Sequence, residues 1–383
     1  MIFIYISILL LFLVGLPYFS IMLLIKKYGY RKSPVSKDYG FKQSISIVIP
    51  TYNEELIVAK KLDNILELDY PLDLIEVIFI DSSTDKTRDI ISTYQEKYRN
   101  IRIINEGERA GLATALNKAY SAAKNDIVVK TDCDSFLHKD ALSQMVANFA
   151  DKSIGAVCGK QVVINSSKVE EGYRSIQSRL QIVESWLDST IIFHGPFSAY
   201  RKNLIVPIDP ASLADDSELA VKIRKQGYRT IIDPEVMFYE ASQSRFFKRR
   251  MQKDRRGKGL IRLLLQHRDV LLNSSYGKYG TAVFPMNYFM MIISPYMMVL
   301  FTLSFLVAVY TYTSFIGLLL VMAFGAVFMY LGQSDKLSIF EPIYSFIDTQ
   351  ISLLVGGLGL VFGRKSNGTW EVDKELRDAY LSK

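Results

Sequence analysis

Residues 45–54, Ile45-Ser46-Ile47-Val48-Ile49-Pro50-Thr51-Tyr52-Asn53-Glu54, decide the fold. A short β-branched run is closed by Pro50, and from Glu54 to Leu68 the pattern switches to helical spacing with Leu56, Ile57, Ile65 and Leu66. A strand therefore feeds a helix. The arrangement repeats: Val77-Ile78-Phe79-Ile80 ends at Asp81, residues 101–104 follow, and Ile127-Val128-Val129 ends at Thr131-Asp132, with helical patterns between them. Such alternation predicts an α/β fold with a mostly parallel sheet and helices on both faces. Ligands bind such sheets beyond the carboxyl ends of the strands. Those ends carry Tyr52, Asn53, Glu54, Asp81, Asp132 and Asp134, so one mouth collects acids and amides.

Outside this region the chain turns greasy. With 22% charged and 49% hydrophobic residues and a mean hydropathy of +0.14, the 383-residue sequence is neither disordered nor low in complexity. The first 25 residues carry no charge and are long enough for a helix to cross a ~30 Å hydrocarbon core. Lys26, Lys27, Arg31 and Lys32 follow, which places that end in the cytoplasm and the N-terminus outside. Residues 279–334 contain no Asp, Glu, Lys, Arg or His, which suits two spans with an outer turn at Thr311-Tyr312-Thr313-Ser314. In residues 337–363, Glu341, Pro342 and Asp348 interrupt the apolar pattern, so an interfacial, re-entrant or transmembrane helix is expected. The predicted organisation is an N-terminal transmembrane helix (1–26), a central α/β domain (40–260), a basic interface or linker (261–280), a transmembrane hairpin (281–333), the 337–363 helix and a cytosolic tail (364–383). The expected location is the plasma membrane, multi-pass, with the central domain cytoplasmic.

The net charge of +7 suits an anionic partner, and two cysteines, Cys133 and Cys158, exclude a disulfide scaffold. Neither a G-x-G-x-x-G turn after a strand nor a G-x-x-x-x-G-K-[ST] loop occurs, so phosphate must be held by other means. Asp132 and Asp134 flank one residue, and in extended backbone their side chains point the same way, so they can share Mg²⁺ or Mn²⁺ on a diphosphate. A helix-capping acidic loop explains the same pair without chemistry. Asp215 and Asp216 precede a helix, where one acid caps and the other is free to act as a general base; capping alone is the bland reading. Residues 245–269 carry ten Lys and Arg against Asp254 and Asp269. This basic run is a clamp for a departing diphosphate or a contact with anionic lipid. His194-Gly195-Pro196 reads as a turn.

Taken in order, 48–55, Asp81 with Ser83-Thr84-Asp85, Arg109-Ala110-Gly111 with Ala115-Leu116-Asn117, Asp132-Cys133-Asp134, Gly195-Pro196, Asp215-Asp216 with Leu219, and 252–256 resemble glycosyltransferase family 2. The resemblance covers about residues 44–260 and is closest to the membrane-bound branch of cellulose, chitin and hyaluronan synthase relatives. It implies a GT-A fold, a Rossmann-like, mostly parallel sheet in a cytosolic domain with transmembrane helices at both ends. By this resemblance Thr51, Tyr52, Glu54 and Asp81 hold the nucleoside, with Arg109 beside it. Asp132 and Asp134 contact the ribose and carry Mn²⁺ or Mg²⁺, and Asp216 is the catalytic base. Gln252 and Arg255 lie over donor and acceptor, while Asp215, Gly195, Pro196, Arg250 and Arg256 line the acceptor and diphosphate region.

The sequence departs from the family at two positions. Arg256 stands where the synthases carry Trp, and Leu112 stands where many relatives have Lys. The first change weighs against processive growth unless Trp370 of the tail supplies the ring. The expected function is inverting transfer from a nucleotide-diphosphate sugar, a UDP-sugar ahead of a GDP-sugar, to a lipid-linked or glycan acceptor. The alternatives are a processive polysaccharide synthase and a catalytically silent membrane-tethered nucleotide-sugar sensor. Membrane lipids and a homo-oligomer are the other expected partners; nucleic acid is not, because the basic run lacks interleaved aromatics.

Overall fold

The computed structural model describes residues 1–164, 168–241, 246–334, 336–363 and Arg377. The strand predicted from residue 45 is β1 (Ile45–Thr51), followed by α2 (Val58–Leu66), β2 (Ile75–Asp81), α3 (Thr87–Lys97), β3 (Ile101–Asn105), α4 (Leu112–Ala122) and β4 (Ile127–Thr131), with α1 (Ile2–Tyr28) ahead of them. Next come β5 (Phe136–Leu137), α5 (Ala141–Ala147), β6 (Ile154–Val163), α6 (Lys168–Leu187), β7 (Phe197–Arg201), α7 (Asp215–Lys225) and β8 (Arg229–Glu240). The strands form one sheet in the order β3-β2-β1-β4-β7-β6-β8-β5. β1 pairs in parallel with β2 and β4, and β2 with β3; β7 then enters antiparallel between β4 and β6. The sheet is thus mixed, with its parallel half at the mouth predicted from the sequence.

The central strands are mostly apolar because helices cover both faces: β1 from Ile45 to Ile49 and β4 throughout are buried, Ser46, Lys130 and Thr131 included. Two cores result. Ile47, Ile49 and Phe79 pack with α2 and α5 on one face, while Val48, Ile78 and Val128 pack with α4 and α7 on the other.

α8 (Phe246–Gln266) continues through the boundary expected at residue 260, so the two segments expected to meet there share one helix. Beyond α9 (Phe284–Tyr288), α10 (Ser294–Gln333) breaks at Ser314, whose φ of 69° is left-handed, within the predicted turn. α11 (Glu341–Val361) packs against α8 and α10. Among the described residues three helical stretches, Ile2–Tyr28, Tyr279–Gln333 and Ser338–Val361, are long and apolar enough to cross a membrane.

Polar contacts join these helices to one another and to the sheet domain. Ser7 of α1 bonds Ser304 of α10 at 2.9 Å, and Gln350 of α11 donates to the Tyr18 hydroxyl at 3.0 Å. At the junction with the sheet domain, Asn287 donates to the buried Glu184 carboxylate at 2.6 Å, and Arg224 bonds both oxygens of Asp188. Trp186 donates to the Lys32 carbonyl at 3.2 Å, which fixes the end of α1 on the domain. The other tryptophan, Trp370, and the rest of the tail except Arg377 lie outside the described residues.

Candidate active site

The loops after β1 and β2 lock together. Asn53 adopts φ 55°, a left-handed conformation that Asn tolerates; its N–H donates to the Ser83 hydroxyl, and its side-chain carbonyl accepts the Thr84 N–H, both at 2.9 Å. Beneath them Asp81 is fully buried, and both of its oxygens are engaged. Thr51 and Ser83 hydroxyls donate to Oδ1 at 2.9 and 2.5 Å, and Arg88 donates to Oδ2 from Nε at 3.1 Å and from a terminal nitrogen at 2.9 Å. Arg88 was not among the residues read from the sequence. The Arg109 guanidinium stacks 3.9 Å from the centre of the Tyr52 ring.

The turn after β4 holds Asp132 and Asp134. From below, the buried Lys61 donates to the Thr131 hydroxyl at 2.9 Å and to the Ser135 carbonyl. Burial lowers the Lys61 pKa to about 8, with the nearby acids acting in the opposite direction. Asp132 pairs with Lys130 at 2.7 Å. Asp134 and Glu54 share Arg377, whose guanidinium donates to both Glu54 oxygens at 2.8 and 2.6 Å and to one oxygen of Asp134. These hard carboxylate oxygens already gather a cation, which fits the expected Mn²⁺ or Mg²⁺. Among the described residues no three His, Cys, Asp or Glu converge on one metal position.

Asp215 and Asp216 open α7, where the helix N-terminus favours negative charge. The backbone N–H groups of Gly195 and Ser217 favour the ionised Asp216 carboxylate, and the Ser217 hydroxyl accepts the Phe193 N–H at 3.0 Å, clamping the 193–196 loop to the helix. A side chain on Gly195 would crowd this site, because its Cβ would stand 3.1 Å from Asp216 Oδ2. Asp216 is deep in the protein yet open to the cavity. Burial first, then the charge of Asp215, pushes its carboxyl up to about 7. Glu240, at the end of β8, is likewise raised by burial and then by Asp134, and it accepts a hydrogen bond from Gln161. Burial, with Arg256 and Arg174 nearby, holds His194 neutral down to about pH 3.

One cavity of about 2200 Å³ collects most of these groups. Its wall includes Glu54, Asp132, Asp134, Gly195, Pro196, Asp215, Asp216, Gln252, Arg255 and Arg256, as expected from the sequence, together with Lys130, Glu240 and Arg377, which were not. Thr51, Tyr52, Asp81 and Arg109 stand apart at the β1/β2 mouth. Arg250 corrects the reading of the basic run: it pairs with Asp254 at 3.1 Å and with Asp348 of α11 at 2.6 Å, so it braces two helices and does not line the cavity. Lys253 joins it on Asp348 at 2.9 Å. The cavity continues between α1, α10 and α11, where Tyr18, Met22, Phe301 and Phe346 form its wall.

Two family models match this architecture: Glycosyl transferase family 2 over residues 46–206 and Glycosyl transferase family group 2 over residues 127–330, more than half of the chain. The chain belongs to the family 2 glycosyltransferases. Among its curated relatives within this glycosyltransferase family are the probable glycosyltransferase YdaM of Bacillus subtilis, 29% identical over 219 residues, and the poly-beta-1,6-N-acetyl-D-glucosamine synthase of Staphylococcus aureus, 26% identical over 204 residues. Each alignment covers 51% of this chain, which spans about half the length of those relatives, 50% and 49%. Among solved structures, the mannosyltransferase PcManGT from Pyrobaculum calidifontis, in complex with GDP-Man and Mn²⁺, is 26% identical with a TM-score of 0.78. That similarity covers 94% of this chain and 99% of PcManGT, so it extends beyond the sheet domain to the flanking helices.

Proposed function

We propose that this protein is a membrane-bound, inverting glycosyltransferase that moves a sugar from a nucleotide-diphosphate sugar to a lipid-linked acceptor. The observation that carries this reading is the continuity of one cavity, from Asp132, Asp134 and Asp216 to the apolar wall of Tyr18, Met22, Phe301 and Phe346. A polar head presented at Asp216 can keep its hydrocarbon between helices that suit a membrane. Arg377 at Glu54 and Asp134 supports a tail on the catalytic side, and the Asp348 pairs with Arg250 and Lys253 support an α11 that lies against the cytosolic domain.

Asp216 accepts the proton of the acceptor hydroxyl while that oxygen bonds to the anomeric carbon from the face opposite the diphosphate. The bond from the anomeric carbon to the diphosphate oxygen breaks, and its electron pair stays on the diphosphate. Arg255 and Arg256 supply fixed positive charge in the same cavity. A divalent cation on Asp132 and Asp134, when bound, would neutralise diphosphate charge. The GDP-Man of PcManGT supports testing a GDP-sugar ahead of the expected UDP-sugar.

The test is a donor screen on purified protein in lipid nanodiscs with Mn²⁺, starting with GDP-mannose and reading nucleotide release and product mass. One sugar added to an organic-extractable product is the expected result. A ladder of water-soluble polymer would replace this reading with chain synthesis, and donor binding without turnover across donors and lipid extracts would replace it with the sensor.

A further inference from the structure

Lys130 is a lysine in a central strand. On β4 it is in register with Val48 of β1 on one side and Ser198 of β7 on the other, and its side chain is 3% exposed. An apolar residue would fill such a position without the cost of burying an ammonium group. Its amine lies 2.7 Å from Asp132 Oδ1, at the donor end of the cavity. It also faces the transfer end: a Cβ on Gly195 would stand 3.1 Å from the Lys130 amine and the same 3.1 Å from Asp216 Oδ2. The bare glycine backbone therefore leaves these two charged groups bordering one small space. Asp215 and Asp216 both act on this lysine, Arg255 acts on Asp215 from α8, and the buried Lys61 faces Lys130 as a like charge; Tyr120, Tyr200 and Cys158 lie near enough for the two acids to raise their titration.

We propose that Lys130 is a positioning residue that joins the donor acid Asp132 and the base Asp216 in one charge cluster, keeping Asp216 ionised beside Asp215 while Asp132 is aimed at the donor. The proposal rests on the reading of Asp216 as the base. Lys130 keeps its proton throughout: the acceptor proton goes to Asp216, and the leaving electron pair goes to the diphosphate. The lysine acts by field and orientation. Removing its charge favours the protonated form of Asp216, so that acid should titrate at higher pH.

Infrared difference titration reads this without a known donor. In nanodisc-embedded full-length protein, the protonated-carboxyl band that Asp216→Asn removes should have its midpoint raised by about one pH unit in Lys130→Met and restored by Lys130→Arg. A merely structural lysine would change the yield of folded protein and leave the midpoint in place. Lys130→Gln, closer in size and polarity, serves as a second neutral variant if Lys130→Met does not fold. An unmoved midpoint in a folded neutral variant, or the lack of any Asp216-dependent band, overturns the proposal. The base reading fails on a different result, full GDP release from GDP-mannose by Asp216→Asn, so the two failures are distinguishable.

Discussion

The two ends of the site treat buried acids in opposite ways. At the β1/β2 mouth, Asp81 has both oxygens engaged by Arg88, Thr51 and Ser83, and the loop above it is closed by Asn53. At the transfer end, Asp216 has backbone N–H groups and a lysine nearby, but also Asp215 beside it, and its carboxyl is pushed up to about 7. A neutralised, cross-braced acid suits recognition of a fixed shape. An acid held near its titration point suits moving a proton at neutral pH.

The sharpest way to break this contrast is Asp216→Asn. It should lower single-turnover transfer by about 10²–10⁴-fold, the usual contribution of a general base, with donor affinity unchanged by equilibrium binding. Equal loss of binding and turnover would make Asp216 another recognition acid. Arg88→Ala should do the reverse, leaving Asp81 buried without its cation and destabilising the fold by about 2 kcal/mol in chemical denaturation. This lies below the full cost of breaking a buried pair because Arg88 is 37% exposed and water can partly replace it. Asp81→Asn combined with Arg88→Ala should recover part of the loss, and additive losses would show that the pair is uncoupled.

How legible each end was follows from the distance over which its partners act. The β1/β2 mouth was readable because strand alternation and the residues that close it lie within about 40 positions of each other. β6 and β8 were not, because Gly155 and Gly159 interrupt one and Asp233-Pro234-Glu235 the other. Both glycines are needed by packing: a Cβ would fall 2.5 Å from Ile223 Cγ2 at Gly155 and 2.8 Å from the Val236 carbonyl at Gly159. The basic run read as a diphosphate clamp or a lipid contact, and the bracing role of Arg250 was hidden because its counter-charge, Asp348, is 98 residues away. Lys130 carried a local signal, since it alternates onto the same side as Asp132 two residues later. Arg377 carried none, because its partner Glu54 is 323 residues away.

Arg377 also marks where the two ends meet, since a guanidinium and a divalent cation compete for Asp134. Arg377→Ala in donor-free protein should therefore bind Mn²⁺ about tenfold more tightly by electron paramagnetic resonance titration, a change of about 1.4 kcal/mol. Weaker binding in the variant would make Arg377 a support of the metal pole.

The smallest expected effect separates the members of the acidic pair. Asp215 and Asp216 share a helix terminus, and the negative charge of Asp215 raises its neighbour. With Asp216 as the proposed base, transfer needs it deprotonated, so turnover should climb as pH rises through about 7. Asp215→Asn removes a like charge and makes ionised Asp216 easier to form, so the acidic limb should move to lower pH, by about half a unit. The shift stays modest because burial, the larger cause, is untouched by the substitution. The kcat profile from pH 5 to 9 decides it. Loss of turnover together with its acidic limb would mean that Asp215 is the titrating base and would exchange the two roles, whereas a limb that stays in place would assign it to a group outside the pair, with Glu240 next to be tested.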